Sequence, residues 1–378
     1  LNLRCPQRRA EAGPVAQALF FDALVAWQRR LGRHHLPWQG TRDPYRVWLS
    51  EIMLQQTQVA TVRPYYERFV QRFPDVGSLA QAEPDEVLAH WSGLGYYSRA
   101  RHLHACARWV VQQGGRWPGS AAELQRLPGI GASTAAAIAA FCFGERVSIL
   151  DGNAQRLLAR LLAFGGDLAH APTRRALWQQ AQGLLPEAAS AADMAAYTQG
   201  LMDLGAQICT RSKPRCTECP VAALCQGLAQ QRVAELPHKS RRRPRRLEDW
   251  WLLLLRRADG AIWLQQRPPR GIWAGLYAPP VLATQHAALQ APPGARAGPA
   301  PILHPVIAHS LTHRELRLHP VQWQWHADAD ADADAPAWGP GRWLQSLGQP
   351  PVALPAPIRT WLLEHLPPAT GAGTGVQG

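Results

Sequence analysis

Apolar residues recur at three- and four-residue spacing through 16–31, 45–57, 59–72, 84–91, 98–113, 121–127, 132–143, 153–163, 173–184 and 193–208. That period lays them along one face of a helix. Alanine and leucine fill these windows, and glycine and proline separate them, so residues 16–227 read as a helical domain. No strand–helix–strand alternation runs through them, which speaks against a doubly wound nucleotide-binding sheet. From 248 the pattern changes. "DWWLLLLRR", "AIWLQQR", "GIWAGLYAPP" and "ELRLHPVQWQWHA" are short apolar runs with turns between them, the mark of strands. They predict a second domain over 248–366, of mixed α+β class. The stretch between, 228–247, is dense in Lys and Arg and reads either as a solvated linker or as a linker lying near phosphates. "ADADADADAPAWG", 326–338, is low-complexity and predicts a loop. The tail 367–378 is too poor in apolar side chains to order itself.

Composition narrows the class of partner. The chain has 378 residues, enough for two domains with their own cores. Its 40 Lys and Arg against 27 Asp and Glu give a net charge of +13. Such an excess favours a polyanion, nucleic acid before an anionic membrane surface. No apolar run reaches the roughly eighteen residues that a membrane span needs. The basic opening "LNLRCPQRRAEAGP" lacks the apolar stretch and small-residue site of an export signal, so a cytoplasmic location is expected. In that compartment clustered cysteines point to metal rather than to disulfides. Four of the seven cysteines fall at 209–225 as C-x6-C-x2-C-x5-C: Cys209, Cys216, Cys219 and Cys225. By spacing alone they suit a structural zinc or an iron–sulfur cluster, since both take four thiolates. Zinc sites usually present two close pairs, and here only Cys216 and Cys219 are close.

Candidate chemistry lies in the helical part. "LPGIGAST", 127–134, joins two helical windows within 121–143. Gly129 and Gly131 permit a tight hairpin whose amides approach a phosphate. The alternative is an ordinary helix–helix turn. Glu51, in "VWLSEIMLQQTQV", shares its helix face with Val47 and Leu54. A carboxyl there is desolvated and held protonated, unless it turns to solvent. Asp151, in "SILDGNAQRLLARLL", sits where a helix begins, and its plainest reading is a helix cap. Two carboxylates beside a phosphate clamp suit cleavage of a glycosidic bond through an oxocarbenium-like state. Gln55, Gln56 and Gln58 carry amides able to fill the gap left by a nucleotide leaving a duplex. In "GLGYYSRARHLH", Tyr96 and Tyr97 offer rings that wedge or stack, or that pack in a core, and Arg99 and Arg101 offer cations for phosphate.

Together "LPWQ", "DPYRVWLSEIMLQQTQVATVRPYYERF", "GLGYYSRARHLH", "LPGIGASTAAAI", "ILDGNAQRLLAR", "MDLGAQIC" and the cysteine group, from about Leu36 to Cys225, resemble the adenine DNA glycosylase family of the helix-hairpin-helix superfamily. The resemblance implies excision of adenine mispaired with 8-oxoguanine or guanine in double-stranded DNA, by a monomer. It implies that Glu51 protonates the adenine ring and Asp151 steadies the positive sugar. Ser133 stands where related lyases carry a lysine, which implies base removal without strand cleavage. Trp38, Gln55, Gln56, Tyr96, Gln199 and Asp203 match positions lining the base and lesion pockets. The four cysteines match ligands of a [4Fe–4S] cluster, read as a structural staple. The second domain resembles the Nudix-like recognition domain of this family. Its lesion loop is matched by "HSLTHRELRLH", with Leu311-Thr312-His313 for the usual Phe-Ser-His, so Thr312 and His313 are the expected lesion contacts. The Glu-rich helix of Nudix hydrolases is missing after "GIWAGLYAPP", which speaks against nucleoside diphosphate cleavage.

Four rival readings remain at the level of sequence. A bifunctional glycosylase/lyase is opposed by Ser133. A mismatch thymine glycosylase is opposed by the second domain with His313. A non-catalytic DNA-binding module leaves Glu51 unexplained in its apolar setting. A zinc-bound scaffold explains neither carboxylate.

Overall fold

The computed structural model describes residues 14–240, 244–290, 300–325, 341–346 and 352–366. The expected loop 326–338 and tail 367–378 lie outside the described residues, as does 241–243 of the basic stretch. The helices are α1 (Pro14–Leu31), α2 (Pro44–Leu54), α3 (Val59–Arg72), α4 (Val76–Gln81), α5 (Pro84–His90), α6 (Ser98–Gln112), α7 (Ala121–Leu124), α8 (Ala132–Ile138), α9 (Gly152–Leu161), α10 (Ala171–Gln182), α11 (Ala191–Gln207), α12 (Gln226–Ala229), α13 (Gln285–Leu289) and α14 (Ala356–His365). Every helical window read from the periodicity holds a helix. The periodicity missed α4, a single turn or so in which only Leu79 is buried. It is set up by Asp75 and Ser78, where the Ser78 amide donates to Asp75 Oδ1 at 2.7 Å. The window 132–143 is also not one α-helix. After Ile138 it widens into a π-helical turn, Ala139–Phe143, that stops at Gly144 in the left-handed region (φ 69°).

The described residues fall into two compact units. The first takes the chain up to Ala80 and from Ala105 to Arg241. The second takes Gln81–His104 and the chain from Arg242 on. The first unit is helical. Phe20, Phe21 and Leu24 of α1 pack with Tyr197 and Leu201 of α11, and Phe21 stacks on Tyr197 at 5.0 Å. Leu157 and Leu158 of α9 join the same core. Gly205 of α11 lies so close to Asn153 that a Cβ would stand 2.8 Å from the Asn153 Cβ. That approach seats the start of α9, and Asp151 with it, against α11.

The second unit is built on a sheet of eight strands among the described residues: β1 (Arg246–Arg256), β2 (Ile262–Gln266), β3 (Tyr277–Ala278), β4 (Val281–Leu282), β5 (Ile302–Leu303), β6 (Ile307–Ser310), β7 (Arg314–Gln324) and β8 (Gly341–Leu344). The order is β3-β2-β1-β7-β5, with β4 on β1, β6 on β7 and β8 on β2. Long β1 and β7 run parallel, Arg246 beside Arg314 through Arg256 beside Gln324. Leu253, Leu255, Trp263, Val321, Trp323 and Trp325 form a core on it. Helix α13, "QHAAL", carries no carboxylate.

The second unit is not one continuous stretch of sequence, because Gln81–His104 packs with the sheet. Asp85 accepts from Tyr277 Oη at 3.2 Å and from Gln266 Nε2 at 3.3 Å. Arg101 Nη1 donates to Ala274 O at 2.7 Å. The basic stretch also departs from a plain linker: up to Ser240 it is folded back, with Leu236 buried and Leu168 N donating to His238 O.

Candidate active site and thiol pocket

Helix α2 is started by Asp43, whose carboxylate accepts from the Tyr45 amide at 3.0 Å, and by Pro44 in the first turn. Tyr45, Val47, Trp48, Leu49, Ser50, Ile52 and Met53 are all buried, so this helix has little solvent face. Glu51 is carried on it into a cavity of about 420 Å³. Val47 and Leu54 line that cavity beside it, as the spacing predicted, with Trp38, Phe141, Gln199 and Met202. Phe141 comes from the π-helical turn. Burial first, and the neighbouring Asp151 second, push the Glu51 carboxyl up to about 8. The volume is within the range of small-ligand sites, and the wall mixes apolar side chains with polar and basic ones, among them Arg29, Arg33, His34 and Arg42.

Asp151 is the N-cap of α9, its Oδ1 accepting from the Ala154 amide at 2.8 Å. The cap reading is therefore correct as local structure. It does not exclude the electrostatic one, since Asp151 is close enough to Glu51 to raise its pKa. Burial raises the Asp151 pKa too, while the Ala154 and Asn153 amides and the Arg156 cation oppose this and favour the charged form. Ser133 is partly buried and is not on the cavity lining. Its Oγ accepts from the Leu150 amide at 3.1 Å and ties α8 to the run leading into Asp151. Gln155 Nε2 donates to Leu150 O at 3.0 Å from the other side.

The hairpin forms where expected. α7 and α8 are joined through Leu127–Gly131, with Gly129 in the left-handed region (φ 76°) and Gly131 as N-cap of α8. A Cβ at Gly131 would meet open space, so the approach to this turn is unobstructed. Gln55 Nε2 donates to Thr134 Oγ1 at 3.3 Å, linking α2 to the hairpin. Gln56 is exposed and holds φ 58°, a strained value for a residue with a Cβ.

Trp38, Glu51 and Gln199 thus share one cavity, while Gln55, Gln56, Gly129, Gly131 and Asp203 are not on its lining. Asp203 is fully buried and already engaged. It takes the Arg33 amide at 2.8 Å, Arg33 Nε at 2.7 Å and Gln199 Nε2 at 2.9 Å. Arg33, which the sequence reading missed, lines the cavity. Tyr96, Thr312 and His313 belong to the second unit. Tyr96 is exposed at φ 50°. Thr312 and His313 are at the tip of the β6–β7 hairpin, closed by Leu311 N donating to Arg314 O, and His313 is exposed.

Cys209, Cys216, Cys219 and Cys225 line one small pocket with Leu157, Leu161 and Val221. All four are free thiols, and burial pushes Cys219 up to about 11. No group of three or more His, Cys, Asp or Glu among the described residues is disposed to hold a metal ion. The donor set does fit a cluster. There are four thiols around one apolar pocket, and the Arg160 guanidinium meets Cys209 Sγ at 3.3 Å, a cation placed to stabilise thiolate charge. Arg160 is 3% exposed and spends its other donors on Thr210 O, Arg211 O, Val233 O and Leu236 O. One turn earlier, Arg156 donates to Cys209 O at 2.7 Å and to Asn153 Oδ1 at 2.9 Å. A charge four residues from another on a buried helix face was the available sign of both.

A helical unit with a glycine hairpin, a carboxyl raised in a cavity of about 420 Å³ and a thiol-lined pocket fits a base excision DNA repair protein of the helix-hairpin-helix class. In agreement, residues 49–182 match the HhH-GPD superfamily of base excision DNA repair proteins, and residues 251–364 match the NUDIX domain. An adenine DNA glycosylase of Buchnera aphidicola subsp. Baizongia pistaciae is 37% identical over 272 residues, 71% of this chain and 75% of the relative. The adenine DNA glycosylase of Homo sapiens is 42% identical over 226 residues, 57% of this chain and 40% of the relative. A thermostable thymine-DNA glycosylase structure superposes with TM-score 0.51 at 27% identity, covering 57% of this chain and 98% of its own. The chain belongs to the adenine DNA glycosylase family.

Proposed function

We propose that this enzyme is a monofunctional, purine-specific glycosylase that hydrolyses the N-glycosidic bond of adenine paired with 8-oxoguanine or guanine in duplex DNA. The observation that carries the reading is Glu51, buried on the wall of the cavity beside Val47, Leu54 and Trp38 and pushed up to about 8, so still protonated at neutral pH. The hairpin and the basic surface hold the backbone, and adenine leaves the stack for the cavity at a cost of a few kcal/mol. Glu51 gives its proton to N7 of the purine. The C1′–N9 bond breaks with its electron pair moving to the base. Asp151, in its charged form, stabilises the oxocarbenium ion left on the sugar. Water adds at C1′ and its proton passes to Glu51, which leaves an abasic site. Two carboxyls take opposite roles because Glu51 is desolvated and faces another carboxylate, while Asp151 is also met by amides and a cation. Thr312 and His313 inspect the base opposite.

The four cysteines hold a [4Fe–4S] cluster rather than zinc. Zinc sites usually present two close Cys pairs, and here only Cys216 and Cys219 are close in sequence. Four thiols lining one pocket with an arginine at Cys209 suit a polynuclear centre. The cluster supplies cross-linking of the loop, and no step of the reaction passes through it.

The test is Glu51→Gln. Base release should fall by about 10²–10⁴-fold, the range of general acid catalysis, with duplex binding retained. A variant that keeps near-normal release removes the proposed acid. Wild-type enzyme treated with borohydride should trap no covalent DNA adduct, because Ser133 offers no amine. A trapped adduct would establish lyase chemistry instead.

A further inference from the structure

The turn that displays Tyr96 is held more firmly than a surface turn requires. Tyr96 is 45% exposed, yet its backbone sits at φ 50°, which persists only where the surroundings impose it. Trp91 Nε1 donates to Gly95 O at 3.1 Å. Arg99 is buried, donates to Gly95 O at 3.2 Å and to Leu94 O at 3.3 Å, and lies between the Trp91 and Tyr96 rings. The next residue, Tyr97, faces the other way. Its hydroxyl donates to Leu354 O at 2.6 Å and accepts from the Gly93 amide at 3.2 Å. Ser92 Oγ reaches the same Leu354 carbonyl at 3.3 Å. Leu354 is itself fixed to the sheet, since its neighbour Ala353 takes the Tyr277 amide of β3 at 2.8 Å. That sheet, through β2, β1 and β7, carries Thr312 and His313. Asp85 gives a second anchor on Tyr277 and Gln266.

We propose that Tyr97 is a specificity-positioning residue whose hydroxyl, clamped between Leu354 O and the Gly93 amide, fixes the Tyr96 turn to the sheet bearing the Thr312–His313 loop. The Tyr96 ring and the lesion loop then meet the duplex as parts of one body. Engagement of 8-oxoguanine by the loop holds the ring in register, and a base the loop does not engage leaves the ring without that support. The inference rests on the reading of His313 as a lesion contact. It adds that discrimination is shared between the loop and a turn far from it in sequence.

The experiment is single-turnover adenine release from duplexes pairing adenine with 8-oxoguanine and with guanine. Wild type, Tyr97→Phe, His313→Ala and the double variant are compared. Tyr97→Phe keeps the ring and removes only the hydroxyl. It should lower the ratio of the two rates by roughly five- to tenfold, the weight of a lost buried hydrogen bond. The double variant should show little further loss, since both changes break the same coupling. Asp85→Ala, which loosens the second anchor, should lower the ratio in the same direction, and gives the answer if Tyr97→Phe fails to fold. A merely structural role would slow both substrates alike and leave the ratio unmoved. An unchanged ratio in Tyr97→Phe and Asp85→Ala, or losses that multiply in the double variant, overturns the proposal. A wild type with no preference between the duplexes would instead overturn the lesion reading, and this inference with it.

Discussion

Glu51 shows how one position acquires its chemistry. Its helix is buried nearly all round, so the carboxyl is desolvated between Val47 and Leu54 and has a second carboxylate, Asp151, nearby. Both effects favour the neutral acid. The rate of base release should therefore fall as pH rises through about 8, and fall again in acid as Asp151 takes up a proton, read from single-turnover rates across pH. Stability should carry the same sign. A carboxyl raised from 4.5 to about 8 contributes stability that is present below 4.5 and lost as pH rises through 8. Glu51→Gln should accordingly gain on wild type above pH 8, by up to about 5 kcal/mol, and match it near pH 4. Urea titrations at the two pH values would show it, and an equal gap at both would mean Glu51 is not the titrating group. Asp151→Asn keeps a capping oxygen but loses the charge. It should reduce release strongly with little loss of stability, whereas a near-normal rate would leave Asp151 a helix cap and nothing more.

At the level of elements, the sequence was most legible where periodicity was long. α1, α2, α3, α6, α9, α10 and α11 stand where the apolar spacing put them. α4 was too short to show a period, and the π-helical turn was hidden because its residues look helical in either winding. The candidate site divides the same way. Glu51 could be read because Val47 and Leu54 flank it at helical spacing. Arg33 could not, since its place on the cavity depends on Asp203, far away in sequence. α9 is the element that links both ends of the first unit. Asp151 caps it, and Arg156 and Arg160 leave it for the thiol loop and the 233–236 turn. Arg160→Leu should cost about 1–3 kcal/mol, because it strands the buried Leu236 carbonyl and three partly buried ones. Thermal unfolding would register this. Purified enzyme should contain iron and absorb broadly in the visible, and Cys225→Ser should lose that colour together with amide protection across 209–240. Stoichiometric zinc would contradict the cluster.

Across the whole molecule, charge and division into units bear on how DNA is met. A net charge of +13 predicts duplex binding that weakens steeply with salt, whatever the sequence. The two units could be anticipated from the switch of period near 248. The return of Gln81–His104 to the sheet could not, because it rests on single contacts such as Asp85 with Tyr277 that leave no pattern in either segment. No helix among the described residues is long and apolar enough to cross a membrane. Adenine release directed by the opposite base can be read from single-turnover release from duplexes pairing adenine with 8-oxoguanine, guanine, cytosine or thymine, each split into hydroxide-treated and untreated samples. The predicted result is fast release opposite 8-oxoguanine, slower release opposite guanine, and strand breaks only after hydroxide. Release that ignores the opposite base, breaks without hydroxide, or no release from enzyme with a full metal complement would contradict it.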